Sequence, residues 1–189
     1  MTKLKIGIYG SAADERGEVI AKAVELGKVL GQYKDKIILI TGASAGIPHV
    51  IVNEASKYGV EIWGYSPEID LDSQKKTFPA CDVSIFSKIL YVPREFEFVQ
   101  NASVRKKYRN VLSTANGDAG IIVSGRWGTL NEFTNLTDMG KVVGVYTGTG
   151  GVADEIERLT EIIQKPKTGK VLFSDSPEKL MVKLLAEMY

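Results

Sequence analysis

The chain has 189 residues with 44% hydrophobic and 25% charged side chains, and its formal net charge is +1. This length favours a single domain over residues 1–189 with a core that needs no disulfide or metal, and the near-zero charge argues against nucleic acid or a membrane as partner. With one cysteine, Cys81, and no long apolar run, the sequence predicts a cytoplasmic protein without a metal site.

Strand-like and helix-like patterns alternate through the first third of the chain. Short apolar runs predict strands, and apolar residues at helical spacing predict helices. The predicted strands cover residues 4–9, 36–41 and 60–65, and the predicted helices cover residues 14–30 and 48–58. The second strand, with Ile37–Ile40 at its centre, is typical of a strand that is buried on both faces.

The alternation resumes after residues 66–82, which show no clear period and are interpreted as a long surface loop. Further strands are predicted at 88–92, 119–124, 142–146 and 170–173, with helices at 97–116, at 129–139 and from the end of a glycine-rich loop at 147–151 to about Gln164. Ser176 followed by Pro177 is a helix-start pattern and predicts a last helix to the end of the chain.

Alternating strands and helices of this kind predict an α/β fold, a mostly parallel sheet flanked by helices on both faces. In such folds, ligands bind beyond the carboxyl ends of the strands. Three glycine-bearing turns follow predicted strands at Gly10-Ser11, Gly42–Gly46 and Gly125–Thr129. We therefore expect these three turns to converge on one binding site.

The third turn contains the most informative residues. The apolar run 120–123 leads into Gly125, Arg126, Trp127, Gly128 and Thr129, and Glu132 follows three residues later. The N-terminus of a helix presents free N–H groups and a partial positive charge, so this turn suits a phosphate. We expect Glu132 to lie near that ligand and to stay ionised, because the helix dipole favours its charged form.

Residues Ser124–Glu132 resemble the Pro-Gly-Gly-x-Gly-Thr-x-x-Glu signature of the Lonely Guy family of nucleotide phosphoribohydrolases, often mislabelled lysine decarboxylases. Arg109-Asn110 stands where that family has Arg-Lys, and Gly140-Lys141 resembles a downstream Gly-Lys-Pro segment. The first two glycine turns also match turns of this family. The similarity covers roughly residues 4 to 146.

The resemblance implies a modified Rossmann fold, a homodimer or higher homo-oligomer, and hydrolysis of the N-glycosidic bond of nucleoside 5′-monophosphates without metal or cofactor. In that family an arginine and a glutamate are the catalytic pair, which implies these roles for Arg109 and Glu132. Its Gly-Thr turn holds the phosphate, which implies the same for Gly128 and Thr129.

Three positions depart from the family pattern, with Ser124 for proline, Arg126 for the second glycine and Asn110 for lysine. Arg-Asn at residues 109–110 also resembles a branch that includes molybdenum-cofactor carrier proteins, which bind without hydrolysing. The alternative function is therefore a non-catalytic carrier or sensor of a nucleotide or a molybdopterin-type cofactor.

Several side chains have two interpretations. Gly10, Ser11, Gly42 and Gly46 could contact phosphate or serve packing, and Trp127 could stack on a base or pack the turn.

Arg105, Lys106, Lys107 and Arg109 could form a solvated basic face, although we favour Arg109 in the site. His49 is expected on a helix surface, and Cys81 has no base nearby in sequence to make it a nucleophile.

Overall fold

The computed structural model describes residues 2–13, 16–163 and 169–188, and these form a seven-stranded sheet in which every neighbouring pair is parallel. The strands are β1 (Leu4–Gly10), β2 (Ile37–Gly42), β3 (Glu61–Tyr65), β4 (Lys88–Leu90), β5 (Ala119–Val123), β6 (Val142–Tyr146) and β7 (Val171–Ser174). Their order across the sheet is β4-β3-β2-β1-β5-β6-β7. The predicted α/β class and parallel sheet are confirmed.

The helices in the described residues are α1 (Gly17–Gly31), α2 (Ile47–Ser56), α3 (Leu71–Thr77), α4 (Ala102–Asn116), α5 (Trp127–Asp138), α6 (Gly151–Ile162) and α7 (Pro177–Ala186), with a short 3₁₀ turn at Val83–Ile85. The predicted start of the first helix at residue 14 and the predicted end of the sixth at Gln164 lie outside the described residues. As predicted, Ser176 caps α7 by accepting a hydrogen bond from the N–H of Lys179. None of the helices described has the length and apolar content needed to cross a membrane.

Helices cover both faces of the sheet. On one face α1 packs against α2 and α7, and its residues Val19 and Ala23 join a core with Ile6 and Ile8 of β1. On the other face α5 packs against α4 and α6, and Leu136 belongs to the second core cluster. Each strand of the central sheet is therefore sandwiched between two apolar layers, which explains its continuous apolar runs.

Two predicted elements are wrong. Residues 66–82 are not a continuous surface loop, because α3 forms there. Its first turn is closed by a reciprocal cap in which the carboxylate of Asp70 accepts from the N–H of Ser73 and the hydroxyl of Ser73 accepts from the N–H of Asp70. The helix predicted from residue 97 begins instead at Ala102, because Asn101 accepts from the N–H groups of Ser103 and Val104 and caps it.

The sheet order reverses direction at β1, which has β2 on one side and β5 on the other. The chain therefore leaves β1 and β5 toward opposite faces, and a crevice opens beyond their carboxyl ends. The turns that follow β1, β2 and β5 all border this crevice.

Candidate functional site

A cavity of about 310 Å³ lies at the reversal point. Its walls are the ends of β1 and β2, one side of α4 and the first turns of α5. Most of the predicted site residues line it, namely Gly10, Ser11, Gly42, Arg109, Arg126, Gly128, Thr129 and Glu132. The sequence thus brings together three turns and two helices that are far apart along the chain.

Charge in this cavity is predominantly positive. Four basic side chains, Lys106, Lys107, Arg109 and Arg126, line it, against the single carboxylate of Glu132. The N-terminus of α5, which begins at Trp127, adds a partial positive charge and free N–H groups. The cavity is therefore suited to an anionic ligand such as a phosphate.

Arg109 reaches across the cavity floor to the end of β2. Its side chain is 16% exposed, and its guanidinium lies directly over Gly42, where an added Cβ would stand 2.3 Å from Nη1. Any larger residue at position 42 would displace the guanidinium. Gly42 therefore serves to admit Arg109, whichever ligand the cavity takes.

Arg109 and Glu132 face each other at the inner end of the cavity. The guanidinium Nη1 donates to the Glu132 carboxylate at 3.4 Å, a long contact for an ion pair between two largely buried groups. The buried Nε of Arg109 has no hydrogen-bond partner among the described residues. A planar fork with five donors is thus engaged weakly by the protein and retains capacity for a ligand.

Glu132 is 5% exposed, and burial raises the pKa of its carboxyl group to about 7, an effect that the charges of Arg109 and Lys107 only partly oppose. A pKa of about 7 leaves this carboxyl group only partly ionised at neutral pH, so the helix dipole does not keep it fully charged as expected. Because α5 begins at Trp127, Glu132 lies in its second turn, where the dipole has little effect and desolvation dominates.

Asn110, 4% exposed on α4, contacts the same carboxylate. Its amide has two orientations. The nitrogen donates either to Asn131 Oδ1 at 3.2 Å or, with oxygen and nitrogen exchanged, to Glu132 Oε1 at 3.2 Å and the Lys106 carbonyl at 3.0 Å. A neutral amide thus lies beside the same carboxylate oxygen that Arg109 contacts.

Three predicted site residues do not line the cavity. Gly46 (φ 119°) lies against the backbone of Ser11 and Ala12, and a Cβ added at Gly46 would stand 2.5 Å from the Ser11 carbonyl oxygen. The adjacent N–H of Ile47 donates to the same carbonyl at 2.8 Å. Gly125 (φ 108°) is packed against the Thr129 side chain. Both glycines allow a close backbone approach that shapes the turns.

Trp127, the third of these residues, is 82% exposed, although its neighbours Arg126 and Gly128 both line the cavity. The indole does not pack the turn, so of its two interpretations the packing one is wrong. An added Cβ at Gly128 would meet no atom within 4 Å, which shows that open space faces the helix start.

The basic residues 105–107 of α4 have different contacts. Arg105 is held by the carbonyl groups of Pro67 (2.7 Å) and Val99 (2.6 Å) and by the carboxylate of Glu68 (3.1 Å), so it fastens two loops to the helix. Lys106 and Lys107 line the cavity instead, although the sequence alone did not mark them as site residues. Their position beside Arg109 in sequence was the signal that could have identified them.

His49 and Cys81 lie together outside this cavity. The Cys81 Sγ is 3.8 Å from His49 Nδ1, while His49 Nε2 accepts from the N–H of Asp82 at 3.3 Å. An accepting Nε2 places the proton of the neutral ring on Nδ1, so the imidazole is no base for the thiol. Burial also raises the pKa of the Cys81 thiol to about 11, and the pair is structural.

Among the residues that the structure describes, no cluster of histidine, cysteine, aspartate and glutamate side chains is arranged to hold a metal ion. The cavity has four basic side chains against one carboxylate and suits an anion better than a cation.

Comparison with solved structures shows the same fold in proteins of low sequence identity. The protein TM1055 superposes with a TM-score of 0.75 at 15% identity, over 97% of this chain and 99% of its own. The molybdenum cofactor binding protein from Rippkaea orientalis gives 0.69 at 16% identity, over 100% and 98%.

DNA processing protein A from Helicobacter pylori, whose structure was described for its single-stranded DNA binding mode, gives 0.63 at 16% identity, over 98% and 82%. A search of curated proteins found no significant match.

Sequence comparison with protein-family models identifies the family directly. One model matches almost the whole chain, from β1 to within α7. Together with the structural neighbours, it confirms the resemblance to the Lonely Guy-type proteins and their molybdenum-cofactor-carrier branch. With residues 3–181 matched, the chain belongs to the SLOG cluster4 family.

Proposed function

We propose that the cavity binds a nucleoside 5′-monophosphate and that the protein hydrolyses its N-glycosidic bond, releasing the base and ribose 5-phosphate. The observation that carries this proposal is the buried Arg109–Glu132 pair at the inner end of a basic cavity. The pair combines a fork of anion-binding donors with a carboxyl group whose pKa is about 7, close to the value that suits proton transfer at neutral pH.

The phosphate of the ligand would lie against the start of α5, near Gly128 and Thr129, with Ser11 on the opposite wall. Lys106 and Lys107 on α4 face the same space and would neutralise its charge. The volume of about 310 Å³ is at the small end of ligand pockets, so it accommodates a phosphate and a ribose more readily than a whole dinucleotide.

In the proposed reaction, a water oxygen forms a bond to C1′ of the ribose while the bond from C1′ to the base nitrogen breaks. Ionised Glu132 accepts the proton of the attacking water, and the base leaves with a proton from solvent. Positive charge develops on the ribose as the bond breaks, and the same carboxylate stabilises it. Arg109 holds Glu132 in place and orients the substrate through its guanidinium, which lines the cavity.

The exposed rim of the cavity would receive the base. Arg126 occupies the position before α5 and lines the cavity, and Trp127 follows it with an indole that is 82% exposed. An exposed indole next to a phosphate site offers a stacking surface for a heteroaromatic ring. We assign Arg126 and Trp127 to the base end of the ligand.

Incubation with a panel of nucleoside 5′-monophosphates, followed by chromatography for free base, tests the proposal. Release of base from at least one nucleotide is expected, with strong loss in Arg109→Lys, which keeps the positive charge but not the fork. Arg94→Ala is the matched control, because Arg94 is an exposed arginine that pairs with Asp70 and does not line the cavity. No base from any nucleotide would refute hydrolysis.

The second candidate is a carrier or sensor that binds a nucleotide or a molybdopterin-type cofactor without turnover. It is favoured by Asn110, which gives Glu132 a neutral partner where the hydrolytic family has lysine. The structural likeness to a molybdenum cofactor binding protein also supports it. Calorimetry with the same panel separates the two, since tight binding without product supports a carrier and base release excludes it.

We also propose that the protein forms a homodimer or higher homo-oligomer and binds no nucleic acid. The apolar side chains of Phe98 and Val111 are 50% and 43% exposed, and a partner copy could cover them. Light scattering tests the assembly. A single-stranded oligonucleotide in the binding assays tests the second point, and salt-sensitive binding at micromolar concentration would contradict it.

A further inference from the structure

The loop after β6 contacts the turn that begins the site. Thr149 is fully buried, and its hydroxyl donates to the carbonyl of Tyr146 at 2.7 Å while it accepts from the N–H of Ser124 at 2.8 Å. Ser124 is the residue at which β5 enters the cavity turn. One side chain thus joins the end of β6 to the end of β5.

Two backbone hydrogen bonds continue this contact. The N–H of Ala153 donates to the carbonyl of Ser124 at 3.0 Å, and the N–H of Val152 donates to the carbonyl of Gly125 at 2.9 Å. The first turn of α6 therefore uses its free N–H groups on the turn after β5. We call Thr149, Gly151, Val152 and Ala153 the α6 clasp.

The clasped residues adopt an unusual backbone conformation. Ser124 has φ 53° and Gly125 has φ 108°, and a non-glycine residue in the left-handed region is disfavoured unless its surroundings hold it there. The approach is also close, since a Cβ added at Gly151 would stand 2.4 Å from the Gly125 carbonyl oxygen. The conformation of the turn is thus determined from outside the turn.

We infer that the α6 clasp is a positioning device for the anion site, with Thr149 as its principal positioning residue. Ser124 and Gly125 directly precede Arg126, Gly128 and Thr129, so the clasp fixes where the start of α5 enters the cavity. Its effect on ligand binding rests on the proposed function, whereas its effect on the turn does not.

The test compares Thr149→Val, which removes the hydroxyl at nearly constant shape, with Thr149→Ser, which retains it. Thr114→Val is the matched control. Thr114 is equally buried, and its hydroxyl donates within α4 to the carbonyl of Asn110 at 2.7 Å. Amide hydrogen exchange of Ser124, Val152 and Ala153, whose N–H groups make the hydrogen bonds of this contact, is measured relative to the core strands. Affinity for AMP and ribose 5-phosphate is measured by calorimetry.

In Thr149→Val we expect exchange at Ser124 to accelerate by about tenfold and affinity for AMP to fall by a similar factor, because the buried N–H of Ser124 loses its acceptor. Thr149→Ser should behave as the wild type, and Thr114→Val should lose stability without either effect. Equal exchange at the turn in Thr149→Val and Thr114→Val would overturn the inference. If the wild type binds neither ligand, the proposed function fails and the exchange result still decides the role of the clasp.

Discussion

Replacing Glu132 by glutamine should change the way in which stability depends on pH. Burial raises the pKa of this carboxyl group from its ordinary value of 4.5 to about 7, so the native state holds the proton more tightly than the unfolded chain. Its contribution to stability is complete below about pH 4.5 and is lost as the pH rises through 7. Above pH 7 the native protein must bury the charged carboxylate of Glu132, whereas in the unfolded chain water solvates this charge.

The size of the effect follows from the two pKa values. At about 1.4 kcal/mol for each pKa unit, the difference between 4.5 and about 7 corresponds to about 3 kcal/mol of stability lost by the wild type between pH 4 and pH 8. Glutamine cannot ionise, so Glu132→Gln should lack this loss. In a protein of this size, the wild-type melting temperature should fall by roughly 6–12 °C more than that of the variant.

Urea unfolding of both proteins at pH 4 and pH 8 gives the required double difference, from which any effect of the amide that is independent of pH cancels. Glu68→Gln is the contrasting variant, because Glu68 is also buried but is bound by Arg105 at 3.1 Å. That change should lower stability at pH 8. Parallel pH dependence of the wild type and Glu132→Gln would refute the argument that burial controls the charge of Glu132.

Four further substitutions test other parts of the structure. Gly42→Ala should weaken AMP binding at least about tenfold by displacing the Arg109 guanidinium, which would lie 2.3 Å from the new methyl group. An affinity for AMP equal to that of the wild type, measured by calorimetry, would contradict this. Trp127→Ala should change unfolding free energy by less than about 0.5 kcal/mol, because the side chain is 82% exposed, yet weaken AMP at least about fivefold without affecting ribose 5-phosphate. Gln74→Ala should cost about 3 kcal/mol in urea unfolding, since its fully buried amide bonds the Ser66 hydroxyl and the Ala43 carbonyl. Ser124→Pro should cost about 3 kcal/mol or more, because proline requires a negative φ and removes the N–H that donates to Thr149, and Ser124→Gly is its control.

The strands and the parallel sheet could be predicted because apolar runs such as Ile37–Ile40 are local signals for strands buried on both faces. The convergence of the turns after β1, β2 and β5 followed from the same reasoning, since parallel strands present their carboxyl ends at one edge. The short α3 could not be predicted from the spacing of its apolar residues, because seven residues make fewer than two helical turns. Its cap by Asp70 and Ser73 was the available signal.

The electrostatics of the site depended on tertiary packing and could not be predicted. Nothing in the local sequence of Glu132 shows that α4 covers it, and the dipole argument accordingly left out the desolvation that raises the pKa of its carboxyl group. The reason for Gly42 was equally hidden, because Arg109 is 67 residues away in sequence and meets it only across the cavity. The roles of Arg109, Glu132 and the glycine turns in binding remain predictions for the assays above.

The departures from the family signature have consequences that depend on one another. At position 110 a lysine would place a further positive charge beside Glu132 and lower its pKa, whereas Asn110 adds no charge. Burial then dominates, and the carboxyl group can gain or lose a proton near neutral pH instead of staying permanently charged. A group that exchanges a proton is useful to hydrolysis as a base, and a neutral form of it would admit a more highly charged phosphate ligand. Asn110 therefore spares this carboxyl group the further positive charge that a lysine would bring, and the pH dependence of base release or of ligand affinity should follow the ionisation of Glu132.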